Sequence, residues 1–199
     1  VVHANGVVTA EEVLRSSAVV VATDAATAVE LLPGLHEPQS RSVTTFHHAA
    51  VLAPPRGEPA VLVDADPHSP VARTAPVSQA VPSRSPDHRT LVSTNVVGHT
   101  GTRTSELESA VRARLTELYT AEDDRWECVA VHHFPHATPA MTSPHNFRRP
   151  VRLIHGLYVC GDHRGAAGID GALESGRRAA RSVMADFGVT FRAEDRFTA

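Results

Sequence analysis

With 199 residues, 42% hydrophobic and 21% charged, the chain is long enough for one large domain or two small interleaved ones and has the make-up of an ordinary water-soluble fold. A net charge of −3 excludes the basic excess of a general nucleic-acid or membrane-surface binder, and the 19 basic residues, all Arg, are scattered. No apolar run approaches the roughly 20 residues that span a bilayer, and two cysteines without a Cys-x-x-Cys motif make no disulfide framework, so a reduced, cytoplasmic protein is expected.

The chain opens on Val1, without Met and directly in strand-like sequence, which places the expected natural N-terminus upstream. Val1 to Thr9 reads as a β-hairpin, its Val-rich arms flanking Asn5-Gly6, a pair favoured in tight type I′ turns. Ala18 to Ala22 is a short continuous apolar run, the pattern of a strand buried on both faces in a parallel sheet. Thr23-Asp24 then caps a helix from Ala25 to Leu32, which Pro33-Gly34 ends.

The stretch from Gly34 to Pro150 has a different texture. Ser42 to Leu52, Ala60 to Asp64, Arg89 to Val97 and Trp126 to Phe134 read as strands, with Pro-rich connections such as Ala53-Pro54-Pro55-Arg56-Gly57. One helix interrupts them: Leu107, Val111, Leu115 and Leu118 share a face, and Ser105 with Glu108 spells a capping box. Strands broken by a single helix predict a mostly antiparallel sheet.

Leu157 to Cys160 reads as a buried strand. It is followed by Gly161-Asp162, a Gly/Ala loop and a helix from about Gly171 to Phe187, ended by Gly188. Leu173, Gly176, Ala180, Val183 and Phe187 are expected on that helix's inner face, with Arg177, Arg178 and Arg181 in water. The last eleven residues read as a tail.

The stretch from Gly156 to Ala180 has chemistry suited to a cofactor. A carboxylate at a strand end accepts hydrogen bonds from sugar or ribityl hydroxyls. Small residues admit close approach of backbone N–H groups. A helix N-terminus supplies free donors and a positive dipole end.

Gly161-Asp162, the loop, Gly171-Ala172 and Ser175-Gly176-Arg177-Arg178-Ala179-Ala180 together resemble the C-terminal FAD motif of the amine oxidase, phytoene desaturase and protoporphyrinogen oxidase superfamily. Val19 to Asp24 resembles the family's strand ending in Ala-Thr-Gly, with Asp24 where the pattern carries Gly. The resemblance implies an α/β (α+β) fold, a partial FAD-binding Rossmann-like domain with an inserted, mostly antiparallel substrate-domain sheet. It divides the chain into residues 1–33 and 151–188 of the FAD-binding domain, an insert at 34–150 and a tail at 189–199. It implies FAD as cofactor, with Ala22, Thr23, Gly161, Asp162, Ile169, Gly171 and Ala172 as the residues bordering it, Asp162 near its ribityl and pyrophosphate part. It also implies that the two motif strands share a sheet on which the last helix packs.

The family's Gly-x-Gly-x-x-Gly loop is not in this sequence, so an N-terminal segment or a second chain is expected to supply it, and the chain alone is expected to be inactive. The implied activity is oxidation or desaturation of a small molecule by hydride transfer to FAD. The rival reading is a non-catalytic remnant that binds protein.

The remaining candidates read as structural. His132, His133 and His136 do not converge in a strand, since neighbours face opposite sides, and no metal site is expected. One His of each adjacent pair is expected to pack inward, and a His on the inserted sheet could line a substrate cavity. Cys128 and Cys160 are expected as small buried hydrophobes, and Phe46, Trp126, Phe134 and Tyr158 as core.

Overall fold

A computed structural model describes residues 1–51, 60–85, 89–98, 101, 103–120 and 126–190. Leu52, the Ala53 to Gly57 connection and most of the expected tail lie outside the described residues. The first strands are β1 (Val2–His3), β2 (Gly6–Val8), β3 (Val13–Arg15) and β4 (Val19–Val21), followed by helix α1 (Ala25–Leu31). Next come β5 (Ser40–Ala50), β6 (Leu62–Val63), β7 (Arg73–Pro76), the single turn α2 (Val77–Ala80) and β8 (Thr90–Val97). Helix α3 (Thr104–Tyr119), β9 (Glu127–Pro139), β10 (Arg152–Ile154), β11 (Leu157–Val159) and α4 (Ile169–Asp186) complete the order. The chain divides into two compact units, Val1–Ser40 with Thr138–Ala199, and Arg41–Ala137. No helix among the described residues is long and apolar enough to cross a membrane.

In the first unit β1, β2 and β3 form one small antiparallel sheet. The expected hairpin is present, but Val2 pairs with Val7 and His3 with Gly6, so the turn is Ala4-Asn5 rather than Asn5-Gly6. Gly6 is needed in the strand itself: it pairs with Arg15 at φ +155°, and a Cβ there would lie 2.2 Å from the Leu14 carbonyl oxygen. The second sheet has the order β10-β11-β4, with β11 antiparallel to β10 and parallel to β4. Val21, Ala28, Leu32 and Val159 pack into one apolar cluster, joining α1 to this sheet.

Helix α4 begins two residues before the expected start and buries a different face. Gly171, Ser175 and Ala179 are inward, whereas Leu173 is largely exposed. The buried stripe is a run of small residues four apart, which lets the helix backbone approach its neighbours closely. Leu173, two residues after Gly171, is turned about 200° from it. Arg178 is not wet: its guanidinium donates to the Arg149 and Arg164 carbonyls, each at 2.9 Å. Arg164, itself buried, donates through Nε to the Pro150 carbonyl at 3.0 Å.

The second unit is a five-stranded sheet of order β6-β7-β8-β5-β9, with β5 against β8, β6 against β7 and β7 against β8 all antiparallel. Its β7, Arg-Thr-Ala-Pro, has none of the apolar alternation that would mark it from sequence. Phe46, Ala50, Val92 and Val96 form one face of the sheet and pack with Leu107, Val111, Leu115 and Tyr119 of α3. Fully burying a Leu such as Leu115 contributes about 1.5–3 kcal/mol. Leu118 packs against this core partly buried, and Tyr119 joins it fully buried, its hydroxyl meeting Thr74 at 3.2 Å.

The capping box does not form: Arg103 occupies the cap position without a side-chain bond, and Glu108 turns instead to His48 Nε2 at 3.2 Å. Asp64 is held by Arg114 in a two-pronged ion pair, Nε to Oδ2 at 2.6 Å and Nη2 to Oδ1 at 2.8 Å. That guanidinium holds the Asp64 carboxyl well below the usual carboxylate range.

The paired histidines split across the sheet. His48 is buried on the helix side, while His47 is half-buried on the other face, its ring 5.6 Å from that of His132. His133 reaches Thr44 through Nδ1 at 2.9 Å, so 132 and 133 face opposite sides, yet both remain exposed. Cys160 is buried as expected; Phe134 is exposed beside His132 on the sheet face away from α3, and Cys128 is exposed at the edge of the α3 side, near Glu108.

Candidate functional site

The two motif strands lie side by side. Leu157 pairs with Val19, Tyr158 with Val20 and Val159 with Val21, in parallel, and the Cys160 N–H donates to the Val21 carbonyl at 2.9 Å. Both chains therefore leave the sheet at the same end, the place where open parallel sheets carry their ligands. Ala22-Thr23-Asp24 departs into α1, and Gly161-Asp162-His163 departs into a 3-10 turn and the loop before α4.

The exit of β4 is fixed by its own cap. Asp24 accepts from the Thr27 N–H at 3.1 Å and from the Thr27 hydroxyl at 2.7 Å. These bonds hold its carboxyl below the ordinary value. The carboxylate that stands where the family pattern has Gly is thus committed to starting α1. Thr23 is half-buried and donates its hydroxyl to the Asp24 carbonyl at 3.2 Å.

The exit of β11 is held by Ser175, a residue the sequence reading did not single out. Its Oγ accepts the Gly161 N–H at 2.9 Å and lies 2.7 Å from the Gly161 carbonyl oxygen and 2.9 Å from that of Ala172. One buried hydroxyl thereby fastens helix to strand end. The signal was in view, since Ser175 opens the Ser-Gly-x-x-Ala-Ala run. Gly161 sits at φ +148°, where a Cβ would come within 3.1 Å of the Thr23 carbonyl oxygen and 2.5 Å of the His163 ring. The two exits are in backbone contact, and only glycine fits between them.

Asp162 Oδ2 accepts from the Gly168 N–H at 3.2 Å, closing the loop from 162 to 168. Gly171 is buried because a Cβ there would lie 1.7 Å from the Ala166 carbonyl oxygen; the helix rests on the loop backbone. Ala172 continues the helix with its N–H on the Gly168 carbonyl at 3.0 Å. No side chain caps α4 at Gly168, and Ile169 is 79% exposed. The first-turn donors thus face outward beside an apolar side chain.

His163 is the second residue missed. Its ring is buried against Gly161, and neither Nδ1 nor Nε2 has a partner among the described residues. Burial pushes its pKa down, aided by Arg164, so the ring is neutral near pH 7. A buried neutral imidazole carries one donor and one acceptor, and both are unanswered here.

Residues 3–184 match the family described as flavin-containing amine oxidoreductase. The chain belongs to that family. No curated protein matches it. Among solved structures, an oxidoreductase from Methanosarcina mazei is similar with a TM-score of 0.66 and 19% identity, over 89% of this chain and 46% of the other. A Pyrococcus furiosus protein is similar at 0.62 and 13% identity, over 96% and 46%. Reduced UDP-galactopyranose mutase is similar at 0.66 and 12% identity, over 94% and 44%. These likenesses show the mixed α/β fold of FAD-dependent oxidoreductase domains, and the chain spans under half the length of each solved structure.

The family implies a flavin, and the strand-end site fits one on its own evidence. The His163 nitrogens and the uncapped first turn of α4 offer donors and an acceptor that have no partner among the described residues.

Proposed function

We propose that the chain forms the C-terminal share of the FAD site of a flavin-dependent oxidoreductase acting on a small molecule. The observation that supports it most is the parallel pairing of β4 with β11, which puts Ala22-Thr23 and Gly161-Asp162 at one sheet end, below the uncapped start of α4. Ala22, Thr23, Gly161, Asp162, Ile169, Gly171 and Ala172 border the cofactor in this reading. Bound FAD would supply the hydride acceptor for oxidation or desaturation of substrate.

The chain's own residues bind and orient. The Asp162 carboxylate keeps acceptor capacity beyond its one bond to Gly168 and takes hydroxyl hydrogen bonds. The first-turn N–H groups of α4 hold negative charge. Exposed Ile169 excludes water from the approach. Ser175 keeps these groups in place without touching the ligand. A pyrophosphate-gripping glycine loop is not among these 199 residues, so chain beyond them, or a second chain, supplies it in this reading.

The test is FAD titration of the completed protein and its Asp162 variants, alongside melting curves. Asp162→Ala is expected to weaken FAD binding by about tenfold to a hundredfold, corresponding to roughly 1–3 kcal/mol, and Asp162→Asn by less, because the amide keeps an acceptor oxygen. A folded Asp162→Ala protein with unaltered FAD affinity removes the cofactor role from this residue and leaves it a loop closer. A completed protein that binds no flavin at all turns the reading to a non-catalytic, protein-binding member of the family.

A further inference from the structure

One cluster in the unit Arg41–Ala137 takes no part in the reading above. His48 projects from β5 into the face covered by α3, Glu108 comes from the second turn of α3, and Cys128 comes from β9. One ligand atom of each, an imidazole nitrogen, a carboxylate oxygen and the thiol sulfur, lies within 4.8 Å of the other two. His48 Nε2 is 3.2 Å from Glu108 Oε1. The imidazole is fully buried and its Nδ1 has no partner among the described residues, while Glu108 is partly and Cys128 openly accessible.

A core position whose only polar contact among the described residues is one long bond at a solvent-facing edge is a poor use of an imidazole. An apolar side chain of like size would pack there without an orphaned nitrogen. The three groups make better sense as a donor set. Nitrogen, oxygen and sulfur together suit a borderline-soft divalent ion, and zinc(II) takes all three at about 2.0–2.3 Å with tetrahedral angles. Such bonds place ligand atoms roughly 3.3–3.6 Å apart, a contraction of at most about 1.5 Å from separations within 4.8 Å. Rotation of the Cys128 and Glu108 side chains, both at the accessible edge, covers that distance.

We propose that His48, Glu108 and Cys128 form a site for one zinc(II)-like divalent cation, which clamps β5, α3 and β9 together. His48 contributes Nε2, Glu108 a carboxylate oxygen and Cys128 its thiolate, with the thiol proton released to solvent on binding. The accessible side leaves the fourth position to water. The Arg112 guanidinium, with Nε 3.7 Å from Glu108, shares that carboxylate and limits the affinity. No spacing motif announces the site, because the ligands stand 60 and 20 residues apart on three elements. The His132, His133 and His136 run is separate: His133 is engaged with Thr44, and His132 lies against His47 on the opposite face.

The experiment is titration of the intact, reduced protein with zinc(II) against a chromophoric chelator, and with cobalt(II) as a spectroscopic stand-in. One equivalent is expected to bind, with a thiolate-to-cobalt charge-transfer band and a raised melting temperature. Cys128→Ser, an exposed change that leaves the metal-free fold intact, is expected to abolish the band and weaken zinc binding by about tenfold or more. Glu108→Gln is expected to weaken binding while keeping the band. Absence of the band in the unaltered protein overturns the site. So does zinc affinity that is the same in Cys128→Ser, which would mean that surface histidines alone hold the ion.

Discussion

The two units are held by different means. In Arg41–Ala137 a helix lays Leu107, Val111 and Leu115 on a sheet face of Phe46, Val92 and Val96, and the core is large side chains against large side chains. In the other unit the elements that position the candidate site meet through backbone: Gly171 on Ala166, Gly161 on Thr23, Ser175 on Gly161, and two arginines on peptide carbonyls. The first mode tolerates exchange of one apolar side chain for another of similar volume. The second tolerates almost nothing, since it depends on atoms being absent.

The largest expected effect lies in the side-chain core. Leu115→Ala, which empties a fully buried position, is expected to lower stability by about 2–5 kcal/mol, read as the denaturant midpoint at unchanged slope. A loss under about 1 kcal/mol would say that this core is loosely packed and erase the contrast.

Next is the backbone-packed helix. Gly171→Ala adds one methyl group where 1.7 Å is available, and a loss of roughly 1–3 kcal/mol is expected, together with weaker FAD binding by the completed protein. A neutral result in both would show that the loop from 162 to 168 yields freely.

Acid reaches both modes. His163 in the first unit and His48 in the second are depressed chiefly by burial, below the ordinary 6.5. Unfolding lets them take up protons between the lowered folded value and 6.5, so stability is full above about pH 7 and falls as pH drops through that window. Melting temperatures from pH 8 to 5 check this, and His163→Phe is expected to flatten the slope. A slope of the opposite sign would mean that these rings are charged in the fold.

The smallest effect has the opposite sign. Gly176, on the same helix as Gly171, has open space where a Cβ would go. Gly176→Ala is expected to stabilise by about 0.5–1 kcal/mol through helix propensity alone, seen as a higher melting temperature.

The same contrast explains what the sequence revealed. Leu107, Val111 and Leu115 announced α3 and its buried face, because large apolar residues at helical spacing have one reading. Val19 to Val21 and Leu157 to Val159 were visible as strands for the same reason, but β4 is not buried on both faces, since Val20 is 44% exposed. The face of α4 was misread, since Leu173 and Phe187 suggested one face while Gly171, Ser175 and Ala179 took another. A rule that counts apolar atoms cannot see a contact made by leaving them out. β7 was invisible because its pairing with β8 comes from the sheet, not from its own residues. Within the candidate site, Asp162 and Gly161 were legible by resemblance. His163 was not, because burial and the lack of a partner are properties of surroundings.

The arginines at the foot of α4 carry a consequence for ionic strength. Burial, and after it the nearby Arg149 and Arg178, lower the Arg164 pKa, and its own bond goes to a neutral carbonyl, as do those of Arg178. Three cations gathered on peptide oxygens repel one another, with the attraction between Arg178 and the Glu174 carboxylate as a partial counterweight. Raising the salt from 0.01 M to 0.1 M shortens the range of charge interactions from about 30 Å to about 10 Å. That change relieves the repulsion and leaves the carbonyl bonds untouched. Moderate salt therefore tightens the corner that carries the strand-end site, whereas in the other unit the same ions weaken the Asp64–Arg114 pair.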